Sequence, residues 1–106
     1  MRWPVRNDGA EPVRIVDAVH PHSQFRGPNV PLDRVIAPGE GTDLALPVRF
    51  DEAPGAILEN PFLIMTIVQG AERWRVLARV QVRAGPRSEP IAGPRVVATT
   101  NRVGAA

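Results

Sequence analysis

Two histidines in one short segment are the first residues of this chain that could do chemistry. His20 and His22 are separated by one proline, so in an extended backbone their imidazoles point to the same side, about 6.7 Å apart. Two such histidines bind zinc when a third ligand converges on them. The nearest carboxylate, Asp17, stands at an odd offset from both. We therefore expect no metal site and interpret the pair as exposed histidines in a loop at the end of a strand.

A serine nucleophile is the next candidate. Ser23 and Ser88 are the only serines in the sequence, and neither stands in a Gly-x-Ser-x-Gly turn. Asp17, His20 and Ser23 are spaced so that, in an extended segment, neighbours in this series point to opposite faces. A catalytic triad needs its three side chains to converge in space. We therefore predict no catalytic residues and expect a protein that is not an enzyme.

The carboxylates Asp43, Asp51, Glu52 and Glu59 are the remaining candidates for a metal site. Calcium takes about six or more oxygen ligands, usually from one loop, and the sequence has no Asp-x-Asp repeat here. It also has no cysteine, which excludes a thiolate site. We interpret these carboxylates as solvated loop charges or as partners of the arginines in the segment 73–83, worth at most ~1 kcal/mol per exposed pair. Neither a metal nor a cofactor is predicted.

The basic character of the chain is weaker than its isoelectric point suggests. All 13 basic residues are arginine, and the net charge is only +2. Because tyrosine, lysine and cysteine are absent, almost nothing titrates between histidine and arginine, and this small excess carries the isoelectric point to about 10.9. Net charge steers partners, so we do not expect nucleic acid to be the main partner. At 106 residues, the chain is predicted to form a single domain, 1–106.

The N-terminal residues 1–7 contain no apolar run that would serve as a signal peptide. No window approaches the ~18 apolar residues of a membrane span. The expectation is a cytoplasmic protein without a membrane span, unless these residues are a piece cut from a longer chain.

Turn residues divide the chain at short intervals, and the segments between them have strand character. Turn signals stand at 7–9, 27–29, 38–41, 54–55, 69–70 and 85–86. The candidate strands are Trp3–Arg6, Pro12–Val19, Leu32–Ile36, Asp43–Phe50, Phe62–Val68, Arg73–Arg83 and Arg95–Thr100. None has a sustained helical period. The pattern predicts an all-β, antiparallel β-sandwich of six to eight strands, with 90–106 as a C-terminal strand or tail. Pro47 lacks an N–H, so we expect the 43–50 strand to lie at an edge or carry a bulge.

The register between the fifth and sixth candidates follows from their turn. Gly70-Ala71 suits a two-residue type II′ turn, which sets Gln69 opposite Glu72. Ile67 then faces Trp74, and Met65 and Leu63 face Val76 and Ala78, on a fully apolar side that must be core. The other side pairs Val68 with Arg73, Thr66 with Arg75, Ile64 with Leu77 and Phe62 with Arg79. A turn of odd length would invert this assignment.

Four motifs together give a family resemblance. The order Val5–Gly9, Pro12–Ile15, Ile36–Glu40 and Leu46–Phe50 resembles bacterial immunoglobulin-like domains, in particular the group named for abnormal-spindle protein and Hydin, and the related pilus-chaperone-like domains. The resemblance covers roughly residues 3–83 and implies an immunoglobulin-like fold with a non-catalytic interaction or scaffolding role. Two departures stand out. The first strand is short or missing, and a strand-like tail, Arg95–Thr100, follows the expected last strand. We hypothesise that the tail fills the vacant edge.

The arginine-bearing side of the predicted hairpin is the candidate interaction site. Its members are Phe62, Ile64, Arg73, Arg75, Leu77 and Arg79, and this mixture of arginine and large apolar residues is enriched at protein interfaces. We expect a protein-interaction or structural module, with a protein partner or self-association. Two alternatives stay open. The face is solvated or covered by the C-terminal tail, or it binds an anion or nucleic acid through Arg73, Arg75, Arg79 and Arg83.

Overall fold

Strands are the only regular elements in the part of the chain that the structure describes. The computed structural model describes residues 1–105, and for residues 94, 95 and 105 the backbone alone. The ten elements are β1 (Arg2–Arg6), β2 (Val13–Val19), β3 (Pro21–His22), β4 (Phe25–Arg26), β5 (Val30–Ile36), β6 (Gly41–Ala45), β7 (Ile57–Leu58), β8 (Phe62–Gln69), β9 (Glu72–Ala84) and β10 (Pro90–Ala105). Three of them have only two residues, and the other seven match the predicted number. Within these bounds no helix is long and apolar enough to cross a bilayer.

The strands form two sheets that face each other, with a small hairpin at one side. The larger sheet has six strands in the order β10-β9-β8-β2-β5, with β7 also paired to β9. β1 pairs with β6 in a two-stranded sheet, and β3 pairs with β4. All pairings are antiparallel. Trp3 and Leu44 from the small sheet join Ile15, Leu63 and Val80 from the large one in a single buried core. The predicted all-β sandwich is confirmed.

The strand predicted at 43–50 is shorter than expected. β6 ends at Ala45, and the chain continues as a non-strand segment that still buries Leu46 and packs Val48 and Phe50 against the core. Beyond Ala45 the N–H of Leu46 still donates to the carbonyl of Met1 at 2.9 Å, and the next residue, Pro47, has no N–H to donate. The alternation of the sequence therefore predicted correctly which side chains of this segment face the core, although the strand itself ends at Ala45.

Two tight turns have the geometry that their residues predict. At Pro38-Gly39 the N–H of Glu40 donates to the carbonyl of Ala37 at 3.0 Å, and Gly39 has a φ of 79°, as a type II turn requires. Gly70 has a φ of 59°, whereas Ala71 is not among the residues of positive φ. That combination is the predicted type II′ turn.

The β8–β9 register is the one that the turn predicts. Gln69 stands opposite Glu72, Ile64 opposite Leu77, and Phe62 opposite Arg79. Leu63, Ala78, Val80 and Val82 are buried on the core side. Trp74 lies on that side too, opposite Ile67, but it is only half-buried. The core therefore thins towards the turn.

The predicted tail strand is present and longer than expected. β10 spans Pro90–Ala105 and pairs with β9 along most of its length, with register shifts between Ala92 and Val96 and between Arg102 and Gly104. The first strand is not missing, since β1 has five residues and pairs with β6. The hypothesis that the tail fills an edge left by the first strand is therefore wrong, because β1 occupies its own place beside β6. The tail instead lies beside β9 as the outermost strand of the large sheet.

Candidate interaction surface

The six residues predicted as an interaction site lie together on one side of the large sheet. Phe62 and Ile64 of β8 stand opposite Arg79 and Leu77 of β9. Arg75 and Arg73 follow on the same side, opposite Thr66 and Val68. The two-stranded sheet packs against the other side. We call this side of β8 and β9 the outer face; its residues are Phe62, Ile64, Thr66, Val68, Arg73, Arg75, Leu77 and Arg79.

Neighbouring strands extend the outer face in both directions. On β2, Arg14 stands opposite Val68 and Val19 opposite Ile64. On β10, Val97, Thr99 and Asn101 stand opposite Arg79, Leu77 and Arg75. These residues of β2 and β10 lie outside the six that were predicted from the sequence. The alternation of β-branched residues in the tail predicted a strand, but the hypothesis placed that strand at an edge left by the first strand rather than beside β9.

Apolar side chains on the outer face are only partly shielded. Phe62, Ile64 and Leu77 are half-buried. Val68 is 8% exposed although it lies away from the core. It stands between Arg14 on one side and Arg73 on the other, so the aliphatic stems of the two arginines account for its shielding. The face is therefore an apolar surface crossed by guanidinium groups.

The arginines of the outer face have no carboxylate partner among the described side chains. The ion pairs among all described side chains are Arg6–Asp8, Arg14–Asp33, Arg49–Asp51 and Arg102–Glu72, and of these arginines only Arg14, on β2, borders the outer face. Nearby acids have other partners, since Asp17 accepts from Asn29 at 3.4 Å and Glu59 accepts from Gln81 at 3.3 Å. The expected pairing of loop carboxylates with the arginines of 73–83 is not found among the described side chains, and Asp51 pairs with Arg49 instead. Among the described side chains, no carboxylate takes up the donors of Arg73, Arg75, Arg79 or Arg83.

A shallow groove borders the outer face between β9 and β10. Its volume is about 370 Å³. Arg79, Gln81 and Val97 line it, together with Gly93 and the loop residues Glu59 and Asn60. Openings of this kind admit an extended chain more readily than they enclose a small molecule.

His20 differs from its predicted exposure. It is 1% exposed, its Nε2 accepts a hydrogen bond from Trp3 Nε1 at 2.9 Å, and Phe25 packs edge-on against the ring with 5.0 Å between centroids. Desolvation lowers the pKa of His20 to about 4, although a backbone hydrogen bond to Pro47 opposes this shift. The imidazole is neutral because apolar residues of the core enclose it and disfavour its charged form. Its Nε2 is already occupied by the bond from Trp3.

His22 faces away from this buried group. It is half-exposed, its Nδ1 accepts from the N–H of Gln24 at 3.2 Å, and its ring lies edge-on to Phe62 with 6.1 Å between centroids. The two histidines therefore do not converge on one point. In the described part of the chain, no group of three or more His, Cys, Asp or Glu residues could hold a metal ion.

Comparisons with family models, with curated proteins and with solved structures found no match for this chain.

Proposed function

We propose that this protein is a non-catalytic protein-interaction or structural module that binds its partner through the outer face. The observation that carries the proposal is the combination of Arg73, Arg75 and Arg79, without carboxylate partners among the described side chains, with half-buried Phe62, Ile64 and Leu77. Arginine and aromatic residues dominate the energetics of protein interfaces. Guanidinium groups that lie on an apolar surface also offer planar, directional donors to carboxylates.

The resemblance to immunoglobulin-like domains supports the same proposal. The turn at Asn7–Gly9, the turn at Pro38-Gly39 and the segment Val48–Phe50 follow one another in the order of that family. Asn7 is 7% exposed and donates to the carbonyls of Glu11 and Ile36 at 2.7 and 3.0 Å. These motifs serve turns and core, so the interaction role depends on the face itself.

Anion or nucleic-acid binding is the second candidate. The observation that favours it is the regular placement of Arg73, Arg75, Arg79 and Arg83 along one side of β9. Against it stand the net charge of +2 and the position of the half-buried Phe62, whose ring packs against His22. Grooves for single-stranded nucleic acid combine a strongly positive path with exposed stacking aromatics.

Selection from a library of random displayed peptides tests the proposal without a known partner. Selected peptides should bind the wild type and fail to bind the double variant Arg75→Glu/Arg79→Glu. The matched control is Arg2→Glu/Arg87→Glu, which makes the same charge change at exposed positions outside the outer face and should retain binding.

Heparin chromatography separates the two candidate functions. A nucleic-acid or anion binder should be retained with a steep salt dependence, because phosphate binding releases counterions. The proposed module should elute at low salt from heparin and bind its selected peptides in a salt-tolerant manner. Equal peptide binding by both double variants would remove the outer face as the site.

A further inference from the structure

The direction of the backbone groups in β9 follows from the β8–β9 turn. Gln69 and Glu72 flank a two-residue turn and therefore form a hydrogen-bonded pair. Backbone polarity alternates along a strand, so the even-numbered residues of β9 direct N–H and C=O towards β8. The N–H of Val80 accordingly donates to the carbonyl of Pro61 at 3.0 Å. The odd-numbered residues of β9 direct theirs towards β10.

The same alternation leaves one side of β10 without ladder partners. Thr99 stands opposite Leu77, with Val97 and Asn101 opposite the neighbouring odd residues of β9, so these three form the hydrogen-bonded pairs with β9. The intervening residues direct N–H and C=O away from the sheet; they are Val96, Ala98, Thr100 and Arg102. The order of strands ends at β10 in the described residues.

This free edge has none of the usual protections over its regular stretch. Between Val96 and Arg102 there is no proline, and the register shifts lie at the two ends of the stretch. Val96 and Val97 are 51% and 55% exposed. Edge strands that natural proteins keep single carry prolines, bulges or inward charges. A long regular edge without them is suited to strand addition.

The charges beside the edge decide what kind of strand would fit. On the outer side, Val97 and Asn101 stand next to Arg79 and Arg75. A strand added to β10 would lie about 10 Å from β9, two strand spacings away, so long acidic side chains on it would reach these guanidinium groups. Residues 90–105 contain no Asp or Glu. A second copy of β10 would therefore bring only further positive charge to Arg75 and Arg79.

We propose that the free edge of β10 binds an extended acidic segment of a partner protein, which joins the large sheet as an additional strand. This inference rests on the proposed function and names its partner class. The segment alternates, with apolar residues beside Val96, Ala98 and Thr100 on the core side. Its carboxylates lie on the outer side and bind Arg75 and Arg79.

A proline substitution separates strand addition from binding to the face alone. In Thr100→Pro the lost N–H points outward, so the β9 ladder stays intact and the melting temperature should change little. The probe is a short synthetic peptide of alternating valine and glutamate, and its affinity should fall by about tenfold or more in Thr100→Pro. The control Thr100→Val retains the N–H and should bind like the wild type. Thr99→Pro should instead lower the melting temperature, because its N–H bonds to β9.

Matched peptides and amide spectra complete the test. A peptide of alternating valine and lysine should not bind, and the valine–glutamate peptide should shift the amide resonances of Val96, Ala98 and Thr100. Full binding by Thr100→Pro, together with loss in Arg75→Glu/Arg79→Glu, would overturn strand addition while the proposed function stands. If both variants bind the peptide as the wild type does, strand addition and the proposed function are both overturned. Concentration-dependent dimers of the wild type that Thr100→Pro abolishes, without peptide binding, would identify a second copy as the occupant and overturn the acidic partner.

Discussion

Trp3 Nε1 donates to His20 Nε2 at 2.9 Å inside the core. This bond joins β1 of the small sheet to the residue that follows β2 of the large sheet, so it links the two layers of the sandwich. Because Nε2 is the acceptor, the proton of the neutral ring is on Nδ1. That N–H is the donor of the hydrogen bond to the backbone of Pro47. A second proton would break the bond to Trp3.

Stability should therefore fall as the pH drops from 6.5 to about 4. The pKa of His20 is 6.5 when unfolded and about 4 when folded, so the unfolded state binds more protons in this window. The contribution of neutral His20 to the free energy of unfolding is complete above pH 6.5. It is lost as the pH falls to the folded-state pKa of about 4, and the total loss is roughly 3 kcal/mol. Urea unfolding at neutral pH and near pH 4 measures it.

The variant His20→Gln provides the test of that assignment. Glutamine does not titrate in this range, so the variant should be less stable at neutral pH but should lose much of the pH dependence. His22→Gln is the matched control, since His22 is half-exposed, and it should keep the wild-type dependence. An unchanged slope in His20→Gln would contradict the assignment.

Asn7 should be the polar residue whose loss costs most. It is 7% exposed, its Nδ2 donates to Glu11 and Ile36 carbonyls, and its Oδ1 accepts from the N–H of Gly9 at 3.0 Å. Asn7→Ala leaves these groups without partners and should lower the free energy of unfolding by about 3 kcal/mol. Asn60→Ala, at an exposed position, should change it by less than about 0.5 kcal/mol. Denaturant unfolding of both variants compares them, and equal values would contradict this role.

Gly27 should not accept a side chain. A Cβ there would collide with the carbonyl oxygen of Pro47, which is backbone and cannot rotate away. Gly27→Ala should destabilise the fold by about 1–3 kcal/mol, as overpacking does. At Gly93 a Cβ would meet the Gln81 carbonyl oxygen at 3.4 Å, an ordinary contact, so Gly93→Ala is the matched control. Thermal melts of the two variants should differ clearly, and coincident melts would show that the segment yields.

Deletion of residues 91–106 should lower the melting temperature by several degrees or more. The deletion removes nearly all of β10, so the odd-numbered residues of β9 lose their ladder partners. Val80 and Val82 stand opposite Val96 and Ala92 of β10. They would therefore also lose the side chains that cover them at the edge of the core. Differential scanning calorimetry measures the shift. An unchanged melting temperature would mean that β10 is not part of the cooperative unit.

The sequence predicted the elements that depend on short-range rules and missed those that depend on distant partners. Gly70-Ala71 set the turn, the turn set the register, and the register placed Phe62 opposite Arg79 as observed. The burial of His20 was missed because it depends on Trp3, which lies 17 residues earlier in the chain, and on the turn that brings Phe25 against the ring. The position of β10 was predicted wrongly, at an edge left by the first strand, since an alternating strand does not reveal which edge it joins.

The binding of an acidic segment by the outer face is tested most directly by comparing two variants of equal charge. The probe is the peptide of alternating valine and glutamate, and the measurement is its dissociation constant by fluorescence polarisation. Arg75→Glu/Arg79→Glu should weaken binding by about a hundredfold, since charge-assisted hydrogen bonds contribute about 1.5–3 kcal/mol each. Arg2→Glu/Arg87→Glu should leave it within about twofold. Equal weakening by both variants would show a response to net charge alone and would contradict a defined binding face.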